Sequence, residues 1–576
     1  METKISEKSK ILFVIFVSLG IYYPAIFGAE CSVDDSKMIT SLMNMSSINW
    51  KALFLPHSSI LYYRPVLYLT FILDRFIWLC DASFMHLENV LFHTLNAVLV
   101  YYLVKVLLKT FAIDAEGYHP MFSALLFAAH PINTEAVDWI SGRTDLMAGT
   151  FVFLSLLTFL ISLRKYGWCW ISALFYLLAL LSKEVSVALL PVIALFLLLN
   201  ERPIPEVVKG RRLKLLLPYL LSLVIYFLMR FLASGFSDSG MSIQIRTVRE
   251  GNLLKKTGSA IKALGFYVKK LFVPLPLNFG IIEINGTFYL CFGIIVLISI
   301  IYLLIRKRNI SSFPILLSVL FILPAIPVAI SKMAWTPLGE RYLYISSFGV
   351  SVFVILTLNR LTFTVLRYGI VGVLIFAAGF VTVGRNRIWQ SDLALFKDTV
   401  EKSPTFAAAR NEYGMALAKA GMMDEAIEQF RIGQRLGHGI YQLPEMNIIE
   451  QTSVEKGSLS DAKARYAKLL KHVDSREYKD LILTRIVTLT EAQIMKEKNP
   501  KRFNKLIRED MDYIERLNNI HRSGYYSYRL GQLYLQQGNK KKAQANFAAA
   551  VVISPNEFFA PAAKKLAQRL EKEIGH

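Results

Sequence analysis

The sequence predicts an all-α chain in two parts, a polytopic membrane body followed by a helical solenoid. Three observations carry that prediction. The 576 residues are 54% hydrophobic and only 19% charged, and the mean hydropathy of +0.42 exceeds what a soluble core requires. The excess is confined to residues 1–388, whereas residues 389–576 are polar and helical in pattern. That second part also repeats itself at fixed offsets.

Apolar stretches long enough to cross a bilayer occur at 11–29, 87–108, 121–137, 146–163, 167–182, 185–200, 214–233, 287–305, 312–331, 342–359 and 368–384, which predicts about eleven spans. The basic start METKISEKSK precedes the first, which we read as a retained span rather than a cleaved signal. With the N-terminus inside, the cytoplasmic connections hold Lys105, Lys109, Arg164, Lys165, Arg202, Lys209, Arg211, Arg212, Lys214, Arg306 to Arg308, Arg360 and Arg367. This is a positive-inside distribution, and it accounts for the net charge of +22 through anionic lipid headgroups rather than nucleic acid. An odd number of spans then puts residues 389–576 on the outer face, together with two long loops at 30–86 and 234–286.

The loops hold most of the charge. After the first span comes CSVDDSKMIT, where Asp34 and Asp35 are adjacent. Neighbouring carboxylates repel, so either a partner cation, metal or proton is needed, or the pair simply caps a helix. His86, Asn89, His93 and Asn96 fall at helical spacing on one face of the second span, as interhelical hydrogen bonding or a wet cavity would require. HPINTEAVDWISGRTDL packs His130, Glu135, Asp138, Arg143 and Asp145 into one short connection, and Lys183–Glu184 and Glu340–Arg341 mark two other span ends. In each of the last two an acid adjoins a base, so local ion pairing competes with phosphate binding by a free arginine or lysine. In the second long loop Lys255, Lys262 and Lys269 recur every seven residues, with Ile261, Leu264, Val268 and Leu271 on another face, the pattern of an interfacial amphipathic helix. Cys31 and Cys80 share the first outer region, where they are either free or joined as a disulfide.

In the polar part Gly414, Leu417, Gly421, Ala426 and Phe430 are matched at the same offsets by Gly531, Tyr534, Gly538, Ala543 and Phe547. A weaker copy keeps Gly457, Ala462 and Tyr466, and a half-repeat ends at Pro404. Small residues let paired helices approach and the aromatic fills the gap between them, so we read three to four tetratricopeptide repeats, serving either to capture a peptide or as a rigid cap.

DD after the first span, YYRPVLYLT, HLENVLFHTLNA, FAAHPINTEAVDWISGRTDL, LALLSKEVSVALLP and GERYLYISSFG, followed by these repeats, together resemble the transmembrane-and-tetratricopeptide-repeat (TMTC) family of O-mannosyltransferases and its prokaryotic relatives. The resemblance implies a GT-C-like fold, a polyprenyl-phosphate sugar donor, transfer of mannose, and a catalytic acidic pair, which here would be Asp34 and Asp35. Asp35, or else Asp34, is expected to act as general base toward a Ser or Thr hydroxyl of a polypeptide held by the repeats, in one inverting displacement. Arg341, Arg143, Arg64 and Lys183 are the expected donor-phosphate cations, with Lys255 and Lys262 in reserve. His86, Asn89, His93, Glu135, Asp145 and Glu340 are the expected supporting residues. The two histidines either orient the base or, with the aspartates, ligate a divalent cation, Mg or Mn. The repeat array is shorter than in eukaryotic members, so their acceptors do not carry over. That shortness and the lack of a retention signal point to a bacterial inner membrane with a periplasmic active face. A lipid or polysaccharide acceptor and a non-catalytic membrane scaffold are the alternatives.

Overall fold

A computed structural model describes residues 6–45, 48, 50–55, 62–111, 117–199, 212–234, 252–284, 286–305, 312–331, 335–555 and 557–574. The basic connections at Arg202, Lys209 and Arg211 and at Arg306 to Arg308 lie outside them. Every regular element among the described residues is helical. The chain divides into two compact units, Met1–Pro404 and Thr405–His576, so the helix Asp392–Lys402 that ends the predicted half-repeat belongs to the first unit.

Among the described residues of the first unit eight helices are long and apolar enough to cross a membrane: Glu7–Phe27, Ala82–Thr110, Ile140–Ser162, Lys214–Ala233, Phe288–Ile305, Ser312–Ser331, Glu340–Leu358 and Thr364–Trp389. This is the pattern of an integral membrane protein. Ile140–Ser162, Glu340–Leu358 and Ala82–Thr110 form the buried centre, whereas only 11% of the apolar window of Phe288–Ile305 and of Thr364–Trp389 is buried, which leaves those two to face lipid. The other three expected spans are the shorter apolar helices His119–Ala129, Trp168–Ser182 and Glu184–Leu198. At 1.5 Å per residue they measure about 16 to 23 Å, less than the ~30 Å hydrocarbon core, yet His119–Ala129 with the connection after it brings the chain back from Thr110 to the face that carries Asp35, since Ser141 is bonded to Asp35. The predicted stretch 121–137 breaks at His130, whose backbone is extended (φ −66°, ψ 120°), because the following Pro131 disfavours helical geometry in the residue before it.

The predicted amphipathic helix spans Leu253–Phe272, with Leu264, Val268 and Leu271 buried. It is packed onto Phe288–Ile305 through a glycine contact: a Cβ on Gly293 would lie 2.1 Å from the Ile261 carbonyl oxygen, and one on Gly265 2.5 Å from that of Tyr289.

The second unit is a run of helix hairpins, Ala407–Lys419 with Met423–Leu436, Gly524–Gln536 with Lys540–Ile553, and two between them. The repeated residues make repeated contacts. Gly414 abuts the ring of Phe430 and Gly531 that of Phe547, while Ala426, Phe430, Ala543 and Phe547 are fully buried. Gly421, Gly457 and Gly538 all take positive φ, between 75° and 79°, as the turn between paired helices demands of a residue without a Cβ. One hairpin, Arg476–Lys496 with Pro500–Ile520, has helices of 21 residues each and lacks the repeated signature.

Candidate active site

The site is built around the connection after His130. Pro131–Asn133, Thr134–Asp138 and Ile140–Gly142 are three short helical turns in succession, almost wholly buried. The chain can fold back this tightly because residue 142 is glycine: a Cβ there would lie 2.4 Å from the Ala136 carbonyl oxygen. Trp139 and Ser141 are thereby held two residues apart in one rigid turn.

Against the Trp139 side lies a group of paired charges. Arg341 forms an ion pair with Glu135, donates to Thr336 Oγ1 at 2.8 Å, and lies over the rings of Trp139 (5.0 Å) and Tyr342 (4.7 Å). Glu135 Oε2 also accepts the backbone N–H groups of Glu340 and Arg341 at 2.7 and 3.1 Å. Lys183 pairs with Asp145 at 2.6 Å and sits 5.3 Å above the same Tyr342 ring. Burial pulls its ammonium down to about 8 despite Asp145, and Arg64 and Arg341 push in the same direction. Arg64, at the start of helix Pro65–Ile77, donates to Glu184 Oε2 at 2.8 and 3.1 Å, and Arg230 reaches the other oxygen of Glu184 at 3.4 Å. Four cations thus meet three carboxylates, Glu135, Asp145 and Glu184, with aromatic walls. This leaves one positive charge in excess, suited to an anion that displaces a carboxylate from one of the pairs.

On the Ser141 side lies the acidic pair. Asp35 opens the helix Asp35–Met43 and is fully buried. Its Oδ1 accepts from Ser141 Oγ (2.5 Å) and N–H (3.0 Å), and its Oδ2 from the Cys31 N–H (3.1 Å). Burial pushes its carboxyl up to about 7, against those hydrogen bonds. Asp34 is exposed at the N-cap position, but its side chain makes no capping bond. The simple cap is therefore not what the two acids form.

Several expectations change. Arg143 does not join the other cations. Its guanidinium is wholly buried between Asp74 (2.7 Å) and Glu88 (3.0 Å), so it is closed to a phosphate, because leaving Asp74 uncompensated would be costly. The adjacent acid–base pairs do not pair with each other: Lys183 takes Asp145 rather than Glu184, and Glu340 takes Lys270 at 2.5 Å while Arg341 takes Glu135. The polar stripe on the second span makes interhelical bonds. His93 lies between the Tyr344 hydroxyl (2.9 Å) and the Ala128 carbonyl (3.1 Å), His86 bonds the Ala29 carbonyl (3.3 Å), and Asn96 donates to the Leu146 carbonyl (2.9 Å). With both histidines so engaged they do not converge on the aspartates, and no group of three His, Cys, Asp or Glu side chains suited to a metal exists among the described residues. Cys31 and Cys80 are both buried and are not joined as a disulfide. Lys255 is exposed and Lys262 half-buried. The reading of charges missed Ser141, Trp139, Tyr342 and Arg230. Of these, Tyr342 and Arg230 carried a signal, an aromatic beside Arg341 and an arginine inside an apolar run.

No family model matches the chain. The Protein O-mannosyl-transferase tmtc2 of Xenopus laevis is 34% identical over 197 residues, covering 31% of this chain and 23% of that protein. The human Protein O-mannosyl-transferase TMTC2 is 32% identical over 234 residues, 37% of this chain and 27% of that protein. The Caenorhabditis elegans Protein O-mannosyl-transferase F38B6.6 matches more widely but at 23% identity, over 440 residues, 72% of this chain and 61% of that protein. The matched region thus spans about a quarter of the length of the two vertebrate relatives.

Proposed function

We propose that this chain is a TMTC-like glycosyltransferase of GT-C type that moves a sugar, mannose, from a polyprenyl-phosphate carrier to Ser or Thr hydroxyls of polypeptides at the outer face of a bacterial inner membrane. The observation that carries the reading is the single rigid turn, with Arg341 over Trp139 on one side and Asp35 hydrogen-bonded to Ser141 on the other. It joins a cation cluster to a carboxylate poised near neutrality, the two components that inverting transfer from a phosphate leaving group requires. The relatives' names support the same chemistry.

In this reading the carrier phosphate takes the place of a carboxylate beside Arg341, Lys183 and Arg64. The acceptor hydroxyl attacks the anomeric carbon as its proton passes to Asp35, the bond from that carbon to the phosphate oxygen breaks, and polyprenyl phosphate departs with the electron pair. The cations meet the charge that develops on it. The second unit, read as tetratricopeptide repeats, holds the acceptor polypeptide. The exposure of Asp34 favours a second assignment, with Asp34 as the base and Asp35 as its anchor.

Radiolabelled polyprenyl-phosphate-mannose is to be incubated with envelope extract and purified full-length protein in nanodiscs, as wild type, Asp34→Asn and Asp35→Asn. Label entering protein with wild type and lost in one variant identifies the base. Label in lipid or glycan moves the acceptor, and no transfer from any polyprenyl-phosphate sugar overturns the transferase reading.

A further inference from the structure

We propose that Asn89 and Arg143 are positioning residues that act through the Ile140–Ser141 peptide to set the hydrogen bonds received by Asp35. The Asn89 side chain, fully buried on the second span, donates its amide N–H groups to three carbonyls of the turn: Trp139 at 2.8 Å, Val137 at 3.3 Å and Ile140 at 3.4 Å. The Ile140 carbonyl and the Ser141 N–H belong to one planar peptide unit and point in opposite directions. Asn89 therefore holds one end of the plane whose other end donates to Asp35 Oδ1 at 3.0 Å. The same residue carries the hydroxyl that donates to that oxygen at 2.5 Å.

An asparagine amide can point either way, and here Arg143 decides which. Its Nε donates to Asn89 Oδ1 at 3.0 Å. Turning the amide over would set an NH2 against the guanidinium and an oxygen against three carbonyls. Arg143 is itself fixed by Asp74 (2.7 Å), Glu88 (3.0 Å) and the Met85 carbonyl (3.1 Å). The line of contact runs from Asp74 and Glu88 through Arg143 and Asn89 to the turn, and ends on the Asp35 carboxylate. This inference rests on the proposal that Asp35 serves the reaction, but its test does not depend on turnover.

The test uses full-length protein in nanodiscs as wild type, Ser141→Ala, Asn89→Asp and the double variant. Asn89→Asp keeps the acceptor for Arg143 and removes the donors to the carbonyls. Two readouts are taken, the infrared carboxyl band that disappears in Asp35→Asn, followed against pH, and the acid limb of the transfer rate. Hydrogen bonds to a carboxylate favour its charged form, so losing them raises its titration midpoint. Ser141→Ala and Asn89→Asp are each expected to shift the Asp35 midpoint, and the acid limb with it, upward by about one pH unit, and the double variant no further than the larger single shift. A loss of folded protein alone would scale the rate without moving either midpoint. Arg143→Lys, which keeps the charge facing Asp74 but loses Nε, is expected to shift the midpoint the same way and decides the matter if Asn89→Asp does not fold. A midpoint that moves in Ser141→Ala but not in Asn89→Asp or Arg143→Lys overturns the proposal, as does one that moves in none. Absence of transfer by the wild type would withdraw the function while leaving the infrared result to judge the positioning.

Discussion

Placing the same substitution at two positions of helix Leu253–Phe272 should give opposite results. At Gly258 nothing lies within 4 Å of where a Cβ would stand, so Gly258→Ala removes backbone freedom from the unfolded chain and stabilises by about 0.5–1 kcal/mol. At Gly265 the added Cβ would meet the Tyr289 carbonyl oxygen at 2.5 Å and the Gly293 backbone at 2.8 Å. Those atoms belong to helix Phe288–Ile305 and cannot swing aside as a side chain can, so the two helices must part. Overpacking of this kind costs up to about 3 kcal/mol, and the helix-propensity gain offsets under a third of it. A net loss of about 2 kcal/mol is expected for Gly265→Ala. The assay is the unfolding midpoint of full-length protein in nanodiscs, measured for both variants and for Gly293→Ala, which should resemble Gly265→Ala. A helix merely resting among lipid headgroups would gain from alanine at either position. Equal stabilisation by Gly258→Ala and Gly265→Ala would therefore refute the packed arrangement.

Other outcomes follow from the same contacts. Arg143→Met should destabilise by about 3–5 kcal/mol because it strands Asp74, and adding Asp74→Leu should recover much of that loss; thermal midpoints of the single and double variants check both. Transfer by the wild type should fall as pH drops through about 7, where the Asp35 carboxyl takes up a proton. Stability moves the other way, since a carboxyl raised above its unfolded value adds stability in full only below that value and loses it as pH rises through about 7. Asp35→Asn should abolish both trends, as pH–rate and pH–midpoint curves will show. Reductant should leave the midpoint unchanged and non-reducing mass spectrometry should find Cys31 and Cys80 as thiols; a crosslinked peptide would contradict this.

The apolar stretches and the repeat were legible because each is local: hydropathy marks the spans, and Gly414 with Phe430 announces a contact inside one hairpin. The break at Pro131 was also present in the sequence, but window length alone hides it. Pair partners were not legible. Lys183 beside Glu184 suggests a bond along the chain, yet the side chains of neighbours in an extended segment point apart, and Lys183 has an extended backbone (φ −158°, ψ 140°). Arg143 looked like its fellow cations because charge does not reveal burial. Ser141 carries no charge at all, and its importance arises from where Gly142 lets the turn close. The hairpin at 476–520 escaped because its longer helices do not repeat the small-residue spacing.

The crossed pairing also imposes an order of events during synthesis. Glu135 is made 206 residues before Arg341, its partner, whereas Asp145 waits 38 residues for Lys183 and Glu184 finds Arg64 already made. At roughly 5–20 residues per second, Glu135 goes without its partner for about 10 to 40 s. Until helix Glu340–Leu358 arrives, its carboxylate must stay in contact with water or hold a proton. The ion pair that completes the cation cluster is thus among the last to close, and a chain truncated before Arg341 would present the insertion machinery and quality-control proteases with an uncompensated acid.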